Sequence, residues 1–385
     1  MKVLITSDWY KPVINGVVTS VINLANGLEE KGHEVRIVTL SNNVRSHVEG
    51  NVTYIGSVSA GKIYPNARIR VSLSRKLINE LIEWKPDIIH SQCEFSTFII
   101  AKYIARKCDA PIVHTYHTVY EDFTHYFSPS RRVGRYMVSL FSRKLLTRTD
   151  AVVAPTDKVK DLLESYGVKE PIYTVPSGLE LKEIYSAMEE SDRDSLRSDL
   201  GIQKDESVLV YLGRIAKEKN IEEILEMLNT VEGPRLLIVG DGPYRHHVEE
   251  KVKKLKLEDR VIFTGMVSPE EVAKYYRVGD VFVSASQSET QGLTYIEAMA
   301  CGLPILCKED ACLDDVVDNG VNGFTYSTQE EFEKELKKLL EDEAYREKMG
   351  ENAADTIRKY YSTEAFAENA EHIYTDVLDQ ENNGR

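Results

Sequence analysis

The chain has 385 residues, 42% hydrophobic and 29% charged, with a net charge of −14. That length suits about two domains with separate cores, and the composition excludes a disordered chain. Overall acidity argues against nucleic acid as the main partner. Five cysteines, Cys93, Cys108, Cys301, Cys307 and Cys312, form no C-x-x-C pair and fit a reducing compartment. No apolar run approaches the roughly 18 residues of a membrane span. The opening Met1-Lys2-Val3-Leu4-Ile5 reads as a strand and not as a signal peptide.

Short apolar runs alternate with amphipathic stretches throughout, the pattern of α/β proteins with parallel sheets. Strands are predicted near 2–7, 34–40, 87–90, 111–115, 151–154 and 172–175, then near 207–212, 235–239, 260–264, 281–284, 304–307 and 324–326. This gives two Rossmann-like units. The turn Pro176-Ser177-Gly178 and the polar run Glu189 to Asp194 are read as a hinge-capable linker. Residues 1–176 carry 23 basic and 17 acidic groups, and the remainder 25 and 45. The opposite signs point to a basic face in the first half that meets an anionic surface.

The first predicted strand leads through Asp8-Trp9-Tyr10-Lys11-Pro12-Val13-Ile14-Asn15-Gly16 into a helix. No G-x-G-x-x-G is present, and the strand ending Val38-Thr39-Leu40 is followed by Ser41-Asn42-Asn43 instead of an acid for a ribose, which argues against a nicotinamide dehydrogenase. Asp8 and Gly16 are candidate substrate contacts, though Gly16 reads equally as a plain turn glycine. Further on, His114 is expected to pack within its strand, whereas His117 either contacts a sugar hydroxyl or fills a core or capping role. Between Asp122 and Asp150 there is no acid, while Arg131, Arg132, Arg135, Arg143, Lys144 and Arg148 interleave with Val133, Met137, Leu140, Phe141 and Leu145 at helical spacing. Such a segment lies on an anionic membrane, at about 1 kcal/mol per basic group, or packs its apolar stripe on the sheet with the arginines in water. Arg68, Arg70, Arg75 and Lys76 form a second basic patch in the same half.

In the second half, Tyr211-Leu212-Gly213-Arg214 through Lys219-Asn220 follows an apolar strand. Arg214 and Lys219 are the expected fixed cations for a departing nucleoside diphosphate, with Lys217 as a solvated spare. Gly240-Asp241-Gly242-Pro243 fits a tight turn near a ligand. The densest signal runs from Ser284 to Pro304, where Glu289 and Glu297 straddle a helix start. One carboxylate would hold sugar hydroxyls and the other a ribose diol, with a diphosphate on the backbone N–H groups of Gln291, Gly292, Leu293 and Thr294. The ordinary alternative makes Glu289 a cap and Glu297 a solvated glutamate; the upstream cations favour the ligand. Backbone around Gly265-Met266-Val267 is expected to read the base. No metal is expected: H-E-x-x-H is absent, His246 and His247 point apart, and Asp192-Arg193-Asp194 matches D-x-D only within the linker. From Glu330 to Leu378 the pattern is helical, interrupted near Tyr361, with Thr363 as the expected N-cap of the last helix.

Taken together, Pro12-Val13-Ile14-Asn15-Gly16-Val17, Ser91-Gln92-Cys93-Glu94-Phe95, His114-Thr115-Tyr116-His117 through Asp122, and Ser288-Glu289 through Glu297 resemble a retaining glycosyltransferase of family 4 with the GT-B fold. The resemblance spans essentially the whole chain and is strongest to the 1,2-diacylglycerol 3-glucosyltransferases that make monoglucosyl-diacylglycerol. Gln291 stands where the wider family has Phe, as in that branch. The resemblance implies two facing Rossmann-like domains with a cleft between them. Residues 1–176 with 363–385 would bind the acceptor, the last helix returning to that domain, and 177–362 would bind the nucleotide sugar. It also implies that Glu289 contacts the donor sugar, Glu297 the ribose, Arg214 and Lys219 the diphosphate, His117 the sugar near the reacting carbon, and Gly16 the phosphate.

By the same resemblance there is no cofactor or metal, and the donor is UDP-glucose or another UDP-hexose. Glucose passes with retention to the 3-hydroxyl of diacylglycerol, the departing phosphate taking the acceptor's proton. The enzyme would be cytoplasmic and peripheral on the inner face of the cell membrane, touching anionic lipid through Arg131, Arg132, Arg135, Arg143 and Lys144. Some membrane-acting relatives carry a basic C-terminal extension, whereas this chain ends Glu381-Asn382-Asn383-Gly384-Arg385, so attachment would rest on the first domain. The alternatives are a polyprenyl-linked saccharide or cell-wall polymer acceptor, a non-catalytic sugar-nucleotide-binding module, and a metal-free epimerase.

Overall fold

A computed structural model describes residues 1–60, 67–71, 74–121, 130–181 and 190–384. The chain divides into two compact units, Met1–Leu179 with Thr363–Arg385, and Glu180–Ser362.

The first unit contains β1 (Lys2–Thr6), α1 (Gly16–Glu30), β2 (Glu34–Leu40), β3 (His47–Glu49), β4 (Val52–Ile55), β5 (Ser57–Ser59), β6 (Arg68–Arg70) and α2 (Arg75–Trp84). It continues with β7 (Ile88–Ser91), α3 (Ser96–Cys108), β8 (Ile112–Thr115), α4 (Arg131–Leu146), β9 (Ala151–Ala154), α5 (Asp157–Ser165) and β10 (Ile172–Thr174). Eight strands form one sheet in the order β10-β9-β8-β7-β1-β2-β4-β3, while β5 and β6 pair separately. All pairs in the large sheet are parallel except β3 with β4. Chain order reverses across β1, so the carboxyl ends of β1 and β7 mark the switch point where ligands enter such sheets. Parallel strands covered on both faces become continuous apolar runs, as in the wholly buried Ala151–Ala154.

Helix α1 opens on Asn15, whose side chain accepts the Val18 N–H at 2.9 Å, a preferred N-cap. Its Val21, Leu24 and Leu28 share a core with Val3, Ile5 and Val35. Phe366, Ala370, Ile373 and Tyr374 of the last helix, Thr363–Gly384, join that core, and Tyr374 Oη lies 2.6 Å from His90 Nδ1.

The second unit carries β11 (Val208–Leu212), β12 (Arg235–Val239), β13 (Val261–Gly265), β14 (Val281–Ser284), β15 (Ile305–Lys308) and β16 (Gly323–Tyr326). These strands form a parallel sheet ordered β13-β12-β11-β14-β15-β16, with its switch point between β11 and β14.

Three expectations need correction. Strands β3 to β6 were not anticipated, because pieces of three or four residues carry too little alternation to stand out. The polar run read as a linker starts a helix, Glu190–Asp199, inside the second unit; Glu189 lies outside the described residues. Arg193 of that helix donates to Arg277 O and Asp280, and the buried Arg197 donates to Val278 O, which clamps the helix to the end of the helix Val272–Val278 and to the turn before β14. Asp194 pairs with Lys204 at 3.1 Å, so the D-x-D pattern serves the helix surface. Thr363 is the first residue of the final helix, and its buried hydroxyl has no hydrogen-bond partner among the described residues, so it does not cap. The preceding helical stretch is also broken once more, at Asp342, whose side chain accepts the Tyr345 N–H and starts Glu343–Tyr360.

Candidate active site

At the second unit's switch point, the loop after β11 delivers Arg214 and a 3-10 turn, Lys217–Lys219, while the loop after β14 delivers Glu289. Lys219 Nζ meets Glu289 Oε1 at 2.6 Å, with both side chains about four-fifths buried. Arg214, more exposed, pairs with Glu218, and Lys217 is exposed. The two cations and the acid singled out in the sequence therefore lie at one switch point, each cation held by a protein carboxylate.

Glycines set the height of the Arg214 loop. A Cβ on Gly240 would come within 2.1 Å of Gly213 O, and one on Gly242 within 2.2 Å of Ile215 O. Only glycines let the turn after β12 seat itself there, fastened by Gly213 N–H to Val239 O and Ile215 N–H to Asp241 O at 3.0 and 2.9 Å. Gly242 and Gly240 thus position Arg214.

On the β14 side, Gly292 adopts φ +74° and a Cβ there would strike the Tyr295 ring at 2.2 Å. This lets Leu293–Ala300 start abruptly, with Tyr295 N–H already donating to Gly292 O at 3.0 Å. Gln291 is buried and Leu293 half-buried beside it. Glu297 is not a solvated helical glutamate: Tyr276 Oη donates to it at 2.9 Å, and burial raises its carboxyl to about 7. At the end of β13, Met266 is strongly exposed next to Gly265.

The first unit gathers a second polar cluster where β7 and β8 end. His117 Nε2 lies 2.6 Å from Gln92 Oε1, and burial lowers its pKa to about 4 although Glu94 opposes the shift, so the ring is neutral near pH 7. His90, between Tyr374 and Thr115, is likewise lowered to about 3 by burial. His114 is buried in β8, as expected. Tyr120 Oη donates to Glu94 Oε2 at 2.8 Å. Gln92, Glu94 and Tyr120 were not singled out as site residues; the signal was the polar Ser91-Gln92-Cys93-Glu94 directly after an apolar strand.

Asp8 departs from its expected role. Its carboxylate accepts the N–H groups of Ser96 and Thr97 at 3.1 and 2.7 Å, capping α3 from the neighbouring loop, and burial raises its pKa to about 6. Gly16 stands exposed at the first position of α1.

Helix α4 turns its larger apolar side chains outward. Gly134, Val138, Ser142 and Leu146 form the buried stripe, whereas Val133, Met137 and Phe141 are 53, 51 and 40% exposed, and Leu140 is exposed as well. Of the apolar stripe read from the sequence, Leu145 packs against the core while Val133, Met137, Leu140 and Phe141 face outward. Arg132, Arg143 and Lys144 lie exposed on the same helix, Arg135 is tied to Glu121 at 2.9 Å, and the Arg131 side chain lies outside the described residues. Arg68 of the second basic patch is tied to Ser41 O and Ser57. Among the described residues no helix is long and apolar enough to cross a membrane, and no group of three His, Cys, Asp or Glu side chains is placed to hold a metal ion.

The family model "Glycosyltransferase Family 4" matches residues 14–183, and "Glycosyl transferases group 1" matches 192–356. The chain belongs to the family 4 glycosyltransferases of the GT-B fold. It is 34% identical to an alpha-monoglucosyldiacylglycerol synthase of Streptococcus pneumoniae, across 98% of this chain and 86% of that protein. A protein of the same name from Acholeplasma laidlawii is 32% identical, across 99% and 98%. The fold is shared with Anabaena HepE solved with UDP (TM-score 0.76, 17% identity, 98% and 100% covered). It is shared equally with sucrose-phosphate synthase from Thermosynechococcus elongatus (TM-score 0.76, 21% identity, 98% and 99% covered).

Proposed function

We propose that this glycosyltransferase moves glucose from UDP-glucose to the 3-hydroxyl of 1,2-diacylglycerol, retaining the α configuration, at the cytoplasmic face of the membrane. The observation that carries the donor chemistry is the convergence of Arg214, Lys219 and Glu289 at the second unit's switch point. As the bond between the anomeric carbon and the β-phosphate breaks, negative charge grows on the phosphate, and Arg214 and Lys219 offset it without a metal ion. Phosphate oxygens replace Glu218 and Glu289 as their partners. Glu289, released from Lys219, accepts hydrogen bonds from the sugar hydroxyls, and Glu297 accepts them from the ribose. The acceptor oxygen bonds to the anomeric carbon on the face the phosphate leaves, and its proton goes to the departing phosphate oxygen. A neutral His117 hydrogen-bonds the sugar without donating net charge.

The acceptor assignment draws on the two alpha-monoglucosyldiacylglycerol synthases, similar over nearly the whole chain, and on the outward apolar and basic face of α4. That face suits an anionic bilayer surface, with Phe141 and Met137 among the acyl chains and Arg143 and Lys144 at the headgroups. The test is incubation of purified protein with labelled UDP-glucose or UDP-galactose and diacylglycerol in anionic vesicles. An α-glucosyl-diacylglycerol product is expected, and its absence alongside transfer to another acceptor overturns the assignment.

A further inference from the structure

The cluster at the ends of β7 and β8 contains more hydrogen-bonding capacity than the protein uses. Glu94 is 6% exposed; its Oε2 accepts from Tyr120, but its Oε1 has no hydrogen-bond partner among the described residues. His114 Nε2, 3.8 Å from that oxygen, is unpartnered as well, and so is the Nε2 amide of Gln92, although Gln92 Oε1 meets His117. Buried polar atoms left unmatched cost about 1–3 kcal/mol each, so several at one strand end mark a place prepared for a hydrogen-bonding guest. The place adjoins the first sheet's switch point, which β7 borders on one side.

Tyr120 joins this polar cluster to an aromatic one. Its hydroxyl holds Glu94, while its ring packs edge-on against Phe95 and Phe141, with centroids 6.5 and 6.0 Å away. Phe95 and Phe141 also stack on each other at 6.3 Å, and both are exposed. A carboxylate with a spare lone pair thus stands one side chain away from an exposed aromatic pair, the juxtaposition that an amphiphile with a hydroxyl at one end and acyl chains at the other would match.

We infer that Glu94 is the acceptor-binding residue: its Oε1 accepts a hydrogen bond from the free hydroxyl of the lipid, and Tyr120 sets the carboxylate while Phe95 and Phe141 contact the acyl chains. No proton is transferred to Glu94. The inference rests on the lipid-glucosyltransferase reading and adds the residue that selects the acceptor.

The experiment compares wild type with Glu94→Gln, using dioleoylglycerol at varied mole fraction in phosphatidylglycerol vesicles, with UDP binding followed by calorimetry. Gln offers one acceptor oxygen, without charge, where Tyr120 and the lipid hydroxyl need two, so kcat/KM for dioleoylglycerol should fall at least about tenfold, with UDP affinity within about twofold of wild type. An unchanged acceptor kcat/KM overturns the inference, as does an equal fall in UDP affinity, which would make Glu94 a structural residue. Should Glu94→Gln fail to fold, Tyr120→Phe is judged by the same criteria, with an expected acceptor-only loss of about threefold. A wild-type enzyme that makes no glucolipid removes the functional reading and this inference together, whereas a normal wild type with an unaffected variant removes the inference alone.

Discussion

In the second unit the cations of the site rest on protein carboxylates, Lys219 on Glu289 and Arg214 on Glu218; in the first, His117 is driven neutral by burial near an under-used Glu94. The solvent-touching Arg214–Glu218 pair is worth little net energy, so Arg214 exchanges its carboxylate readily for a ligand's phosphates. Buried polar groups with unmatched hydrogen-bonding capacity respond to a hydrogen-bonding group of the right shape more than to bulk charge. The contrast suits a donor recognised by charge and an acceptor recognised by a single hydroxyl.

The most severe way to break the comparison is to remove the charged side of it. Arg214→Ala and Glu289→Ala are each expected to lower turnover at least about 100-fold, measured as glucolipid formed, because both meet charge or hydroxyls in the transition state. Near-normal rates in both would remove the donor site. Charge reversal on α4 is milder: Arg143→Glu with Lys144→Glu should weaken flotation on anionic vesicles by tenfold or more, at about 1 kcal/mol per basic group removed near the surface. UDP affinity in solution should not follow it; a parallel fall would make the change one of folding.

A smaller effect sharpens the claim that the cations wait on carboxylates. Glu218→Ala frees Arg214 and should tighten UDP binding by roughly threefold, the scale of an exposed ion pair. Weaker binding would mean that Glu218 aims Arg214 and does not merely occupy it.

The smallest signal is a fraction of a proton. Burial holds Glu297 at about 7, so it is largely protonated at pH 6 and ionised above pH 8. Ribose hydroxyls donating to the carboxylate favour its ionised form and lower that pKa, so UDP binding should release protons at pH 6 and none at pH 8.5. Calorimetry in buffers of different ionisation enthalpy reads this directly. Proton uptake, or release that survives Glu297→Gln, would place the ribose elsewhere.

Much of the framework was legible because it is local. Parallel strands sheathed by helices are continuous apolar runs, so β1, β11 and β14 announce themselves, and the charged loops at their ends follow from chain order. Short β3 to β6, by contrast, carry no usable period. Asp8 was expected to contact substrate, and its capping of α3 was not legible because the N–H groups it satisfies lie 88 and 89 positions away. In α4 the helical spacing was plain, but not which stripe would be buried, since Gly134 and Ser142 are poor signals of a packing face.

By itself, then, the amino-acid order determined two α/β halves, the strand ends that bear Arg214, Lys219, Glu289 and His117, and a basic amphipathic segment. Tertiary structure alone decided which groups meet: Lys219 with Glu289 across 70 positions, Tyr120 with Glu94, and the large apolar side chains of α4 with the outside. The reason is physical. Periodicity reports how a segment is covered, whereas hydrogen bonds and ion pairs depend on distances that exist only once the sheet has set its strand order.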